Sequence, residues 1–281
     1  MNMITEFIYR VTSYAFLGRA FSASILIGIV AGIIGAFVIL RGLSLMGDAI
    51  GHAVLPGVAA SHLIGIPPVI GAAAFGLLAS MLIGFISDKT SLKKDTIMGL
   101  VFSSFFALGI VMISQIRTMT DLNSILFGNI ITVSSDAVRD LLIIAIGLVI
   151  LVIMFYKELL ITSFDDTMAK VYGLNTKLIH YVFLFVLTIV IVFSLQVVGA
   201  ILIVAMIITP AATAYLLTNR MHVMIFLSAC IGMICGGLGM FLSITYNFPS
   251  GASIVLVSAA LFLLAFIFAP KKGLIIQRVK S

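Results

Sequence analysis

Long apolar segments separated by short polar connections run along almost the whole chain. The hydrophobic pattern places them at 18–40, 49–66, 68–87, 96–116, 137–156, 178–197, 199–218, 222–245 and 251–269. A helix that crosses a bilayer needs roughly 20 mostly apolar residues, and most of these segments have that length. The pattern therefore predicts an all-α polytopic membrane protein with about eight or nine transmembrane helices. We expect a single transmembrane domain over 1–281.

Two of the segments are interrupted by proline. Segment 49–66 is short and contains Pro56, and segment 199–218 contains Pro210. Breaks in the backbone inside a membrane are tolerated where they are buried in protein or line a wet cavity. We therefore expect either segment to be an unwound or partly inserted helix.

Basic residues cluster in three connections, which predicts the orientation of the chain. They are Lys89, Lys93 and Lys94; Lys157, Lys170 and Lys177; and, near the C-terminus, Lys271, Lys272, Arg278 and Lys280. All three groups belong in the cytoplasm by the positive-inside rule. If segment 49–66 crosses the membrane, the N-terminus is outside and Arg41 lies near the cytoplasmic face. If it does not cross, the N-terminus is inside.

Composition supports a bilayer as the natural solvent. Hydrophobic residues make up 62% of the chain and charged residues 9%, whereas about a quarter of the residues of a soluble domain are charged. The mean hydropathy of +1.31 agrees. The formal charge of +6 comes mostly from the connections, and no basic stripe with interleaved aromatic residues indicates nucleic-acid binding. No Gly-Lys dipeptide is present, so an ATP-binding P-loop is excluded, and no catalytic motif predicts an enzyme.

Small residues are dense in some of the apolar segments. Gly28, Gly32 and Gly35 fall close together, and Gly232 and Gly236 form a GxxxG pair. Such residues let helices approach closely in lipid. Either tight static packing or sliding of helices during gating would use them.

Asp48 is the acidic residue that the pattern places between two long apolar segments. A lone charge at membrane depth costs at least a few kcal/mol, so it usually faces a partner or a wet cavity. His52 follows four residues later, on the same face of a helix. A carboxylate and an imidazole in this arrangement are suitable ligands for Mn²⁺, Fe²⁺ or Zn²⁺.

Glycines surround this pair, and they suggest how a fuller ligand set could form. Gly47, Gly51 and Gly57 offer a small-residue surface against which a second copy of the helix could pack. Two copies across a two-fold axis would supply two Asp and two His. The spacing alone leaves other interpretations open, in which Asp48 pairs with Arg41 and His52 bonds a backbone carbonyl. A secondary metal carrier or an intramembrane enzyme would also fit the pair.

The connection 157–177 combines charged and apolar residues. Its apolar residues are Phe164, Met168, Val171 and Leu174, spaced as on a short amphipathic helix. Asp165 and Asp166 near its start would interact favourably with the dipole of such a helix. The segment is either a docking site for a cytoplasmic partner or an ordinary solvated loop.

Four stretches of this sequence carry a resemblance to a known family. They are ILRGLSLMGDAIGHAVLPGVA from Ile39, LLITSFDDTMAKVYGL, VGAILIVAMIITPAATAYLL from Val198, and SGASIVLVSAALFLLAFIFAPKK. Together they span nearly the whole chain, and they resemble the metal-transporting ABC permeases that serve manganese, zinc and iron uptake in bacteria. The resemblance is strongest to manganese permeases.

The resemblance implies a type II ABC importer permease in the bacterial cell membrane, with no covalently bound cofactor. It implies a homodimer of permeases, two cytoplasmic ATPase subunits and an outside lipoprotein that delivers Mn²⁺, or alternatively Zn²⁺ or Fe²⁺. Asp48 and His52 occupy the family's metal-coordinating positions. The implied contacts to the ATPase are Phe164, Asp165, Asp166, Met168 and Gly173. One departure is Gly51, where the family usually has Ser.

Overall fold

The computed structural model describes residues 3–115, 130 and 133–269. In these ranges the chain forms α-helices and no β-strand, which confirms the all-α prediction. The helices are α1 (Met3–Ser13), α2 (Ala15–Leu40), α3 (Met46–Ala53), α4 (Leu55–Ile64), α5 (Pro68–Lys89), α6 (Lys94–Ser114), α7 (Ser135–Met154), α8 (Tyr156–Phe164), α9 (Asp166–Val171), α10 (Thr176–Val198), α11 (Ala200–Leu217), α12 (Met221–Tyr246) and α13 (Ser250–Phe268). Eight of them are long and apolar enough to cross a membrane: α2, α5, α6, α7 and α10 to α13.

The basic connections meet at one end of the helix bundle. A polar cleft there is lined by Arg41 at the end of α2, Asp88 near the end of α5, Lys94 at the start of α6, and Lys170 and Lys177. By the positive-inside rule this is the cytoplasmic end. The C-terminal basic group, from Lys271 onward, lies outside the described residues.

The broken segment runs from the cytoplasmic end to the opposite end. Helix α5 starts at Pro68, directly after α4, and returns to the polar cleft at Asp88. Helices α3 and α4 therefore lead away from Arg41 across the bundle. They are separated at Val54, because Pro56 has no N–H to donate to the carbonyl four residues earlier. Proline thus breaks the helix, as predicted, without preventing a crossing.

With this broken crossing, the described chain traverses the bundle nine times. The N-terminal helix lies at the outer end, since Arg10 Nη1 donates to the Ile244 carbonyl at 3.4 Å. Ile244 is near the end of α12, and the start of α12 lies beside Leu40 at the cytoplasmic end. Of the two orientations left open by the sequence, this topology corresponds to the N-terminus outside.

Helices α2 and α12 pack backbone to backbone along their glycines. A Cβ at Gly28 would overlap the carbonyl group of Gly232, and one at Gly32 would overlap the carbonyl group of Ser228. Ser228 Oγ donates to the Gly32 carbonyl at 2.7 Å, which adds a hydrogen bond between the two helices. The glycines therefore form a close-packed contact that leaves no room for a side chain.

Candidate metal site

Local geometry at the end of α2 directs the chain into the helix that carries Asp48. Gly42 has φ +65°, a left-handed conformation that glycine adopts without strain. Its N–H donates to the Ile39 carbonyl, and the Leu43 N–H donates to the Val38 carbonyl, as in a Schellman cap. Helix α3 then begins at Met46 and places Asp48 in its first turn, where the helix dipole favours a carboxylate.

The structure brings Asp48 and His52 together on one face of α3. His52 Nε2 lies 3.4 Å from Asp48 Oδ1. The Asp48 side chain is 47% exposed and that of His52 is 17% exposed. Arg41 makes its hydrogen bonds elsewhere, to Thr162 and Ser163. Asp48 therefore pairs with His52 and not with Arg41, whose hydrogen-bonding groups are engaged elsewhere.

Two phenylalanines of α6 hold the imidazole ring of His52. The ring centres of Phe102 and Phe106 lie 5.1 and 5.3 Å away, with interplanar angles of 75° and 87°. His52 Nδ1 is buried and has no hydrogen-bond partner among the described residues. Aromatic packing therefore orients the ring, and Nε2 is the nitrogen directed at the carboxylate. A cation between Nε2 and Oδ1 would replace the contact between them.

The sequence suggested that the glycines around Asp48 and His52 would pack against a second copy of the chain, but they are covered within one chain. A Cβ at Gly47 would lie 3.8 Å from Val204, and one at Gly51 would lie 3.6 Å from Ala200, both on α11. Gly57 packs against the backbone of α5. The expectation that a second copy packs on these glycines is wrong, because helices of the same chain already cover them. The face left open on one copy is the one that carries Asp48.

Contacts at Gly51 also bear on the departure from the family pattern. The position has only ordinary van der Waals contacts, with Ala200 at 3.6 Å and Leu195 at 3.9 Å from an added Cβ. A Cβ is therefore accommodated at this position without displacing a neighbour. Glycine here leaves the Asp48–His52 geometry intact.

One copy of the chain brings two candidate ligands together, Asp48 and His52. No group of three or more His, Cys, Asp or Glu side chains that could hold a metal occurs in the part of the chain that the structure describes. His62 lies near the outer end of α4 and is exposed, and His180 lines the cytoplasmic cleft. Within the described ranges, no third His, Cys, Asp or Glu side chain therefore joins Asp48 and His52 as a ligand for a cation.

The coupling segment, defined as residues 157–177, contains two short helices where the sequence suggested one. Asp165 separates α8 from α9, and its side chain accepts hydrogen bonds from the N–H groups of Thr167 and Met168 at 2.8 and 3.0 Å. An N-cap of this kind starts a new helix. The large exposed apolar residues of this segment are Phe164, Met168, Val171 and Tyr172, exposed by 65%, 51%, 80% and 67%. Gly173 follows the end of α9 and has φ +77°.

These features define a class of protein. Nine crossings, one of them broken and bearing a polar pair, together with an exposed apolar segment on the cytoplasmic side, are typical of a multi-pass membrane transport protein. The model of the ABC 3 transport family matches residues 13–269. The chain belongs to this family and is a permease subunit of a bacterial cell-membrane ABC transporter, which confirms the family suggested by the sequence.

Individual relatives are similar over nearly their full length. The chain is 52% identical over 275 residues to the manganese transport system membrane protein MntC of Listeria monocytogenes, covering 98% of each chain. It is 48% identical to the manganese import system permease protein ScaB of Streptococcus gordonii, covering 99% of this chain and 100% of that one. The solved structure of PsaBC from Streptococcus pneumoniae in complex with Fab matches with a TM-score of 0.88 and 46% identity, covering 99% of this chain and 100% of that chain.

Proposed function

We propose that the chain is the membrane permease of an ATP-driven Mn²⁺ importer, in which Asp48 and His52 bind the ion during passage. Relatives named as manganese transport and import proteins support the choice of metal. The observation that carries the proposal is the half-exposed Asp48 carboxylate 3.4 Å from the His52 imidazole. The pair lies within the bundle, since Phe102 and Phe106 are near the middle of α6. A carboxylate open to lipid at this depth is costly, so this face borders a wet path or a second chain.

The proposed partners are a second copy of the chain, two ATPase subunits and a protein that delivers the ion. Two copies related by a two-fold axis bring two carboxylates and two imidazoles to one ion, a ligand set that suits Mn²⁺. Two cytoplasmic ATPase subunits dock on the exposed apolar side chains of the coupling segment. Phe164, Asp165, Asp166, Met168 and Gly173 are the proposed contact residues. An extracytoplasmic lipoprotein delivers Mn²⁺ at the outer end.

The two residues of the pair act together on the ion in this mechanism. Asp48 and His52 replace part of the hydration shell of the ion and hold it between the two copies. Asp48 must be ionised and His52 neutral to act as ligands. ATP binding and hydrolysis in the partner subunits move the coupling segments, and access to the ion changes from the outside to the cytoplasm.

Zinc or iron importers and a secondary carrier are the competing functions. The ligand set also suits Zn²⁺ and Fe²⁺, and Zn²⁺ binds a given site more tightly than Mn²⁺. Uptake of each metal by proteoliposomes that contain the complete complex separates these cases. Uptake by vesicles that lack the ATPase would instead indicate a secondary carrier.

Substitution of the two ligands tests the assignment in those proteoliposomes. Asp48→Asn and His52→Gln keep the side-chain volumes, and each should lower Mn²⁺ uptake at least about tenfold, equivalent to about 1.4 kcal/mol. Asp140→Asn and His62→Gln make the same chemical changes near the outer end and should transport normally. Unchanged uptake in both ligand variants would show that the ion takes another route.

A further inference from the structure

Arg41 joins the end of α2 to the coupling segment. Its Nε donates to Ser163 Oγ at 3.1 Å, and its Nη2 donates to Thr162 Oγ1 at 2.8 Å. The guanidinium carbon also lies 4.4 Å from the centre of the Phe183 ring of α10, a distance suited to a cation–π contact. Two directed hydrogen bonds thus connect α8 to the residue that directly follows α2.

Neither hydroxyl depends on Arg41 for a hydrogen bond. Thr162 Oγ1 and Ser163 Oγ each donate to a backbone carbonyl of their own helix, at 2.7 and 2.6 Å. Burial lowers the pKa of Arg41 to about 10, although the nearby Asp166 opposes this effect. The folded chain therefore disfavours the cation at neutral pH relative to the unfolded chain. The two hydrogen bonds and the contact with the Phe183 ring therefore hold the guanidinium in place despite the cost of its burial.

The backbone of Arg41 leads directly to the helices that form the metal site. Gly42 follows it with φ +65°, and α3, with Asp48, comes after this turn. On the other side, Lys94 Nζ donates to the Arg41 carbonyl at 3.4 Å. Lys94 begins α6, the helix whose two phenylalanine rings hold His52. Arg41 therefore contacts the coupling segment through its side chain and adjoins both site helices through its backbone.

We propose that Arg41 is a positioning residue that transmits movement of the coupling segment to the helices that hold Asp48 and His52. The proposal rests on the proposed function, because it needs an ion bound by that pair and an ATPase that moves the coupling segment. A guanidinium suits the role, since its planar group presents several donors in a fixed arrangement. Displacement of α8 then pulls on the turn between α2 and α3, and Arg41 itself does not touch the ion.

The test measures Mn²⁺ taken up per ATP hydrolysed by the complete complex in proteoliposomes. Arg41→Met keeps an unbranched side chain against the Phe183 ring but removes both hydrogen bonds. It should lower the ratio about five- to tenfold, without lowering Mn²⁺ binding or the melting temperature of the complex. Arg41→Lys keeps the charge without the fixed donor geometry and should give an intermediate ratio. The matched control is Arg10→Met at the outer end, which should keep the normal ratio.

A second variant approaches the same contact from the other side. The double substitution Thr162→Val and Ser163→Ala removes both acceptors, and it should lower the ratio as Arg41→Met does. Combined with Arg41→Met it should cause no further loss, because the two changes remove one interaction. If the Arg41→Met complex does not assemble, the acceptor variant still supplies the ratio.

Three results would overturn the proposal. They are an unchanged ratio in both variants, a parallel fall in uptake and hydrolysis that leaves the ratio constant, and additive losses on combination. Failure of the proposed function has a different signature, since the vesicles with the unsubstituted chain would then take up no Mn²⁺ or Asp48→Asn would transport normally. A normal ratio in Arg41→Met beside a defective Asp48→Asn would reject the role of Arg41 alone.

Discussion

Replacing a single glycine between α2 and α12 should destabilise the protein measurably. In Gly28→Ala, the new Cβ would meet the backbone carbonyl of Gly232. A flexible side chain could turn away from such an overlap, but a backbone carbonyl held in a helix cannot. The two helices must therefore move apart or bend, and this also weakens the hydrogen bond from Ser228 Oγ to Gly32.

The size of the effect follows from the geometry. Forcing an extra methyl group into a well-packed contact costs about 1–3 kcal/mol, and the upper part of that range applies because the obstacle is backbone. Gly147→Ala in α7 is the matched control, since no atom lies within 4 Å of an added Cβ there. Alanine is the better helix former by about 0.5–1 kcal/mol, so the control should be neutral or slightly stabilising. The two variants should therefore differ in sign.

Buried cysteine provides the assay. The chain has no tryptophan and two cysteines, and Cys235 on α12 is fully buried. A thiol-reactive dye added during heating reports the exposure of Cys235, which means that it reports on one of the two helices concerned. Cys230 is half-buried, and Cys230→Ser removes its background signal. Equal midpoints for Gly28→Ala and Gly147→Ala would show that α2 and α12 do not pack through these glycines.

Three further predictions concern the metal site, the turn before it and the coupling segment. Acidification from about pH 7.5 to about pH 5 should weaken Mn²⁺ binding, because a protonated imidazole cannot act as a metal ligand. Titration calorimetry should show that the affinity depends less on pH in His52→Gln. Constant affinity in the unsubstituted chain over this range would contradict the site. Gly42→Ala should lower the stability of the protein by about 1–2 kcal/mol, and Gly42→Asn should lower it by less, because asparagine tolerates φ +65° better than alanine does. The thermal midpoints measured with the dye check this order. Equal midpoints would argue against a left-handed residue at this turn. Asp165→Ala should remove a helix cap worth about 1 kcal/mol and reduce co-purification of the ATPase. Asp165→Asn should keep the cap and normal co-purification. Normal co-purification of the alanine variant would show that the cap does not matter for docking.

The hydrophobic pattern was enough to predict most of the architecture. Segment lengths near 20 apolar residues specify membrane crossings, and Pro56 marks the break in the crossing that carries Asp48. The i, i+4 spacing of Asp48 and His52 was also sufficient to place both side chains on one face. These features depend on the type and spacing of residues that are close together in the chain, so they can be predicted from the sequence.

Features that depend on distant contacts could not be predicted in the same way. Nothing local indicates that α11 covers Gly47 and Gly51, or that Phe102 and Phe106 hold the ring of His52. The contact from Arg41 to Ser163 joins residues 122 positions apart. The separation of α8 from α9 did have a local signal, because Asp165 stands two and three residues before the N–H groups that it caps.

Charge balance at the proposed site gives a reason for selection by valence. The described part of each chain brings one carboxylate, Asp48, to this face. Two copies would therefore present two negative charges and two neutral imidazoles. A divalent ion is neutralised by that set, whereas Na⁺ or K⁺ would leave a surplus negative charge in surroundings of low polarity, where an uncompensated charge is costly. The abundant monovalent ions of the medium would thus be rejected by electrostatics before ionic size or ligand preference distinguishes one transition metal from another.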